Sequence, residues 1–229
     1  AGPSATFNVD TTPPSLNISA GPSLTDANTS STITYTLTYG GATATTLVPA
    51  NITLNTTGGA SCTVGVTALL PNSTVTLTGC TGNGTVGISV AAGTASDAAG
   101  NLAPAAGPSA TFNVDTTPPS LSISAPSLGT ANSASTVTYT LTYGGASATT
   151  LVPANITLNT TGGATCTVGV TAALPNSTVT LTNCTGNGTV GISVVANTAS
   201  DVAGNQAPAA GPSTTFIVNN TGPSLSISA

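Results

Sequence analysis

The chain has 229 residues, no Lys, Arg or His, and five acidic side chains, for a formal net charge of −5. With no basic residue it cannot neutralise phosphates, which excludes nucleic-acid binding and attachment to anionic membrane surfaces. With no His or Lys it lacks the usual general bases and the groups that activate a Ser or Cys nucleophile, so it reads as a protein that is not an enzyme.

Only paired aspartates remain for acid–base work, and the five acids read instead as turn formers or ion ligands. No apolar run is long enough to span a bilayer, so no direct membrane insertion is expected of this segment. Thr (48) and Ser (25) supply almost a third of the chain, which gives it a polar but uncharged character.

Residues 1–16, AGPSATFNVDTTPPSL, recur unchanged at 106–121 and in altered form at 210–225. Further in, TTLVPANITLNTTGGASCTVGVT (45–67) returns almost unchanged at 149–171, an offset of 104 residues (149 minus 45). That period is too long for a solenoid unit and matches one small sandwich domain. The expected organisation is therefore 1–10 as the last strand of a preceding repeat, 11–114 and 115–218 as two full repeats, and 219–229 as the first strand of a following one. The absence of an initiator Met agrees with a piece of a longer or processed chain.

In chain order, each repeat is predicted to hold about seven strands, in the first near 15–19, 31–39, 43–54, 61–68, 73–79, 84–91 and 109–114. The clearest signal is STITYTLTYG, where Ile33, Tyr35, Leu37 and Tyr39 alternate with Thr32, Thr34, Thr36 and Thr38. Its copy alternates Val137, Tyr139, Leu141 and Tyr143 with Thr136, Thr138, Thr140 and Thr142. Period two of this strictness marks strands with one buried and one wet face. The fold class expected is all-β, with tandem immunoglobulin-like sandwiches of two antiparallel Greek-key sheets.

The stretch GISVAAGTASDAAGN (87–101) followed by ATFNVDTTPPSLSIS (110–124) resembles the bacterial immunoglobulin-like tandem repeats of large cell-surface adhesins. The resemblance covers nearly the whole chain and rests on two motifs, AGTASDxAGN and FxVDTTPP. It implies extracellular display at the cell surface, tandem arrays, and a stalk or adhesive role. The chain departs from such repeats in having paired cysteines and few acids.

The cysteines of each repeat flank a turn. CTVGVTALLPNSTVTLTGC (62–80) folds about Pro71, which brings Cys62 beside Cys80; folding about Pro175 does the same for Cys166 and Cys184. Cys62 shares parity with Val64 and Val66, whereas Cys80 shares parity with Thr76 and Thr78, so a bulge near Gly79 is required. Two such disulfides would place the chain outside the reducing cytosol. Four buried free thiols are the alternative.

If the seven strands reverse direction in turn, the loop before the last strand returns to the end where the repeat begins. Asp97 and Asn101 are then expected near Asp10, and Asp201 and Asn205 near Asp115, with Asp26 approaching that middle joint too. Oxygens converging at a joint would suit Ca²⁺, although no cofactor is required; the competing reading is that Asp and Asn only shape turns. Asn219 and Asn220 replace the acid at the third joint. The TTPP that follows Asp10 and Asp115 favours a stiff, extended joint.

Twelve N-glycosylation sequons are candidates for sugar: Asn17, Asn28, Asn51, Asn55, Asn72, Asn83, Asn155, Asn159, Asn176, Asn183, Asn187 and Asn219. The function read from all this is a non-enzymatic segment of a long extracellular adhesin, stalk or filament, with adjacent repeats as partners. Two alternatives are a filament subunit that donates residues 1–10 or 219–229 as a strand, and a binding module for an extracellular or host-surface glycan or protein. Neither an aromatic cluster nor a charged groove marks a binding face.

Overall fold

The computed structural model describes residues 2–227. The chain divides into two compact units, Ala1–Thr116 and Thr117–Ala229.

In the first unit the strands are β1 (Ser15–Ile18), β2 (Asp26–Ala27), β3 (Ile33–Gly40), β4 (Ala44–Thr45) and β5 (Ile52–Thr56). They are followed by β6 (Ser61–Thr67), β7 (Asn72–Thr81), β8 (Gly84–Val90), β9 (Ala95–Ser96) and β10 (Phe112–Val114). One sheet runs β1-β3-β7-β6 and the other β2-β10-β8-β5, with β4 and β9 forming a small separate ladder. All pairs are antiparallel except β2 with β10, which is parallel.

The second unit repeats this order with β11 (Ser120–Ile123), β12 (Thr130–Ala131), β13 (Val137–Gly144), β14 (Ala148–Thr149) and β15 (Ile156–Thr160). It closes with β16 (Thr165–Thr171), β17 (Asn176–Thr185), β18 (Gly188–Val194), β19 (Ala199–Ser200) and β20 (Phe216–Val218). Its sheets are β11-β13-β17-β16 and β12-β20-β18-β15. Each unit is an immunoglobulin-like sandwich.

The threonine alternation explains β3. Ile33, Tyr35, Leu37 and Tyr39 are buried, while Thr36 and Thr38 face solvent. Opposite them, β8 supplies Val86, Ile88 and Val90, and β10 supplies Phe112 and Val114, all in one core. Burying each such side chain contributes about 1.5–3 kcal/mol. Both tyrosine hydroxyls are hydrogen-bonded: Tyr35 OH donates to Ala110 O at 2.8 Å, and Tyr39 OH lies 2.8 Å from Thr94 Oγ1. Among the described residues no buried side-chain N or O lacks a hydrogen-bond partner.

The structure departs from the expected strands in two ways. The third strand, expected unbroken over 43–54, splits into β4 and β5 around a 3-10 turn at Pro49–Asn51. Pro49 has no N–H to give a ladder, and Asn51 Oδ1 accepts the Val48 N–H at 2.9 Å, which turns the backbone. The chain also forms two unanticipated two-residue rungs: β2, which runs parallel to β10, and β9, which pairs with β4. Among the described residues, 2–9 and 219–227 carry no assigned strand, and residues 1, 228 and 229 lie outside the described residues.

Candidate functional site

Two features of each sandwich could carry function: the ends where the chain enters and leaves, and the stapled hairpin of the first sheet.

The chain enters the first unit beside the loop that precedes β10. Asp97 shapes that loop: its Oδ1 accepts the Ala99 and Asn101 backbone N–H groups at 2.9 and 2.8 Å. Its Oδ2 accepts Asn101 Nδ2 at 2.9 Å, and the same amide donates to Asp10 O at 2.9 Å. The Asn101 side chain first, with the backbone donors behind it, holds the Asp97 carboxyl below its ordinary value. Asp10 Oδ1 in turn accepts the Thr12 N–H at 2.9 Å, just ahead of the two prolines. The expected meeting of Asp97, Asn101 and Asp10 is therefore present. Asp201 and Asn205 make the same turn in the second unit, with bonds of 2.9 Å to each carboxylate oxygen.

The chain leaves the first unit at the opposite end of β8. There Thr116 N donates to Asn83 Oδ1 at 2.8 Å and Thr116 Oγ1 donates to Gly82 O at 3.2 Å. Asp26 lies close by: it pairs with Asn113 across β2 and β10, and its Oδ1 accepts Asn113 Nδ2 at 3.0 Å. One rung on, Asp115 N donates to Ala27 O at 2.9 Å. In the second unit Asn220 replaces Thr116 and reaches further. It donates from Nδ2 to Gly186 O and Cys184 O at 2.8 and 3.2 Å, and its Oδ1 accepts the Ser133 N–H at 2.7 Å. Asn220 thus clamps the backbone at 184–186 and at 133.

Ca²⁺ takes six to eight oxygens. At the Asp97 turn the Asn101 amide N–H₂ bridges Asp97 Oδ2 and Asp10 O. Among the described residues no group of three or more His, Cys, Asp or Glu side chains converges. As arranged, Asp97, Asn101 and Asp10 form a hydrogen-bonded turn.

Cys62–Cys80 and Cys166–Cys184 are closed disulfides, each joining neighbouring strands of one sheet with Cα atoms 4.1 Å apart. The pairing passes from Ser61↔Thr81 to Thr63↔Thr78, so Cys62 faces both Gly79 and Cys80. This is the bulge that the cysteine parity required. Gly79 sits at φ +56° to make it, and the second unit uses Asn183 at φ +50°, a residue that tolerates the left-handed region.

The structure sorts the sequons by what their amide nitrogens do. Asn55 and Asn159 donate from Nδ2 to Ser89 and Ser193, and Asn187 donates to Thr221. Asn28, Asn51, Asn72, Asn83, Asn155, Asn176 and Asn219 use Oδ1 as an acceptor in turns or across strands. Asn17 stands exposed on β1, and Asn183 is exposed at the bulge.

A groove of about 440 Å³ runs between β1 and residues 105–110, and its counterpart of about 460 Å³ lies in the second unit. Leu16, Ile18, Ala106 and Pro108 help to line it, and no aromatic or ionisable side chain does.

No protein-family model and no curated protein matches the chain. It is similar to solved structures of immunoglobulin-like tandem domains. One is an I-band fragment, I67-I69, of titin, at 13% identity over 91% of this chain and 66% of that one, with a TM-score of 0.40. Another is the Escherichia coli adhesin FdeC, at 16% identity over 90% of this chain and 63% of that one, TM-score 0.39. The Yersinia pseudotuberculosis adhesin InvE matches at 17% identity over 90% of this chain and 58% of that one, TM-score 0.31. The chain thus spans about two thirds or less of the length of these structures.

Proposed function

We propose that the chain is a non-enzymatic spacer, a segment of an extracellular stalk, adhesin or filament in which immunoglobulin-like repeats follow one another head to tail. One observation carries this reading. In the first unit the chain enters beside Asn101 and leaves beside Asn83, at opposite ends of β8, and is tied by side-chain hydrogen bonds at both. A domain built this way passes tension along its length from one neighbour to the next.

The two closed disulfides support an oxidising compartment. The resemblance of the SDAAGN loop and the DTTPP joint to adhesin repeats supports the cell surface. The five acids make turns and strand-end contacts, and with no His or Lys to join them they support a structural role. The joint is proposed to hold without a metal. An antibody against the chain, applied to intact cells of the source, is expected to label their surface. Labelling seen only after permeabilisation would overturn the reading.

A further inference from the structure

We propose that Asn83 and Asn187 are sites of spontaneous deamidation, each held unreactive by the residue at which the chain leaves its unit. Asn83-Gly84 and Asn187-Gly188 are the two Asn-Gly steps in the sequence. Each lies in a tight hairpin: β7 ends at Thr81 and β8 begins at Gly84, while β17 ends at Thr185 and β18 begins at Gly188. The glycine is obligatory. A Cβ at Gly84 would run into Thr57 O, and one at Gly188 into Thr161 O. The asparagine answers a separate demand, because its Oδ1 accepts the Thr116 N–H at 2.8 Å and the Thr116 hydroxyl at 3.2 Å. In the second unit Asn187 Oδ1 accepts the Asn220 N–H at 2.7 Å, and Asn187 Nδ2 donates to Thr221 Oγ1 at 3.3 Å. Two unrelated structural needs thus place a chemically labile dipeptide at each exit.

In the reaction the Gly84 nitrogen attacks Asn83 Cγ and gives up its proton, the Cγ–Nδ2 bond breaks, and ammonia leaves. The cyclic imide that remains takes up one water. It opens to Asp when the newly made bond breaks, or to isoaspartate when the bond from the residue 83 carbonyl carbon to the Gly84 nitrogen breaks instead. The second product routes the backbone through Cβ and Cγ. Glycine favours the attack because no Cβ shields its nitrogen. Asn83 is exposed, so water reaches it. The attack needs Cγ within about 3–3.5 Å of that nitrogen and in line with it. While Thr116 holds Oδ1, the amide is directed to residue 116 and is not free to turn. Pulling Thr116 away releases it, and each conversion then leaves one permanent negative charge at the exit. The inference goes beyond the spacer reading and does not depend on where the chain resides.

The test follows each asparagine of the full, oxidised, glycan-free chain at mildly alkaline pH, by mass spectrometry of pepsin peptides and by an isoaspartate-specific methyltransferase. In chain unfolded by urea and reductant, Asn83 and Asn187 are expected to convert ahead of the other asparagines. In the folded chain both are expected to slow by roughly fivefold or more, the worth of one such hydrogen bond. Thr116→Pro removes the N–H and the hydroxyl together, and is expected to restore fast conversion at Asn83 while Asn187 keeps its pace. Thr116→Val, which keeps the N–H, is expected to fall between the two and gives a reading should the proline variant fold poorly. An unchanged rate at Asn83 in both variants overturns the proposal, and so does conversion at Asn83 as fast in the folded parent as in the unfolded chain. A rise at Asn83 matched at Asn51, Asn55 and Asn72 also overturns it, because the whole unit would then be opening.

Discussion

Asn101 Nδ2 stands 2.9 Å from Asp10 O and 2.9 Å from Asp97 Oδ2, so one amide ties the incoming chain to the loop ahead of the last strand. Asn101→Ala removes this tie and costs the first unit about 1 kcal/mol, the net worth of such a bond. Faster amide exchange at residues 10–12 than in the parent chain is the expected readout. Because donors already satisfy the oxygens, millimolar EDTA is expected to leave the melting temperature unchanged. A rise on adding Ca²⁺ to chelator-treated protein would show a metal at the joint instead.

Each disulfide closes a span of 18 residues within one hairpin. Under tension an unfolding unit cannot extend through that span until the bond is reduced. Single-molecule pulling is expected to give two unfolding events, each lengthened by roughly 60–65 Å on adding reductant, at 3.3–3.6 Å per residue. Reduction also lowers each unit's stability by about 3 kcal/mol in the chain-entropy picture.

Burial raises the phenols of Tyr35, Tyr39, Tyr139 and Tyr143 above their ordinary 10.0. The folded state then keeps these protons longer than the unfolded chain does. Their contribution is complete below pH 10 and is lost as pH climbs through the raised values. Asp97, held low by Asn101, acts in the opposite sense and weakens the fold only as pH falls below its ordinary 3.8. With no Lys, Arg or His side chain, the melting temperature is expected to be flat between these limits. Melting followed against pH, with phenolate absorbance read alongside, checks both arms.

Thr94 is 1% exposed, and its hydroxyl meets Tyr39 OH in the core. Tyr39→Phe strands that hydroxyl and is expected to cost about 1–3 kcal/mol. Adding Thr94→Val is expected to recover most of the loss, because both polar atoms are then gone. Denaturant midpoints of the two single variants and the double variant measure the coupling.

How much of this was legible depended on how many residues carry each signal. β3 was plain because four buried side chains alternate with threonines, and the staple was plain because Pro71 lies midway between Cys62 and Cys80. Even the bulge followed from the clash of cysteine parities. β2 was hidden because Asp26–Ala27 is too short to show a period, and its parallel pairing with β10 has no local signature. The break at Pro49 was visible as a residue but outweighed by the β-branched run around it. At the joint, Asp97 and Asn101 were placed by counting strand reversals. The direction of the Asn101 amide depends on three-dimensional hydrogen bonding that no spacing encodes.

The near-identity of the units has a consequence for how the chain reaches its native state. β8 and β18 both read GTVGISV, and β5 and β15 both read ITLNT, so a strand of one unit fits the other's sheet. Neighbouring domains this alike are prone to trade strands while they fold. The cysteines limit that exchange, because each pairs with the nearest available partner across a single turn. Once closed, the bond commits β6 and β7, and likewise β16 and β17, to their own unit. The staple thereby keeps these hairpin strands in their own unit.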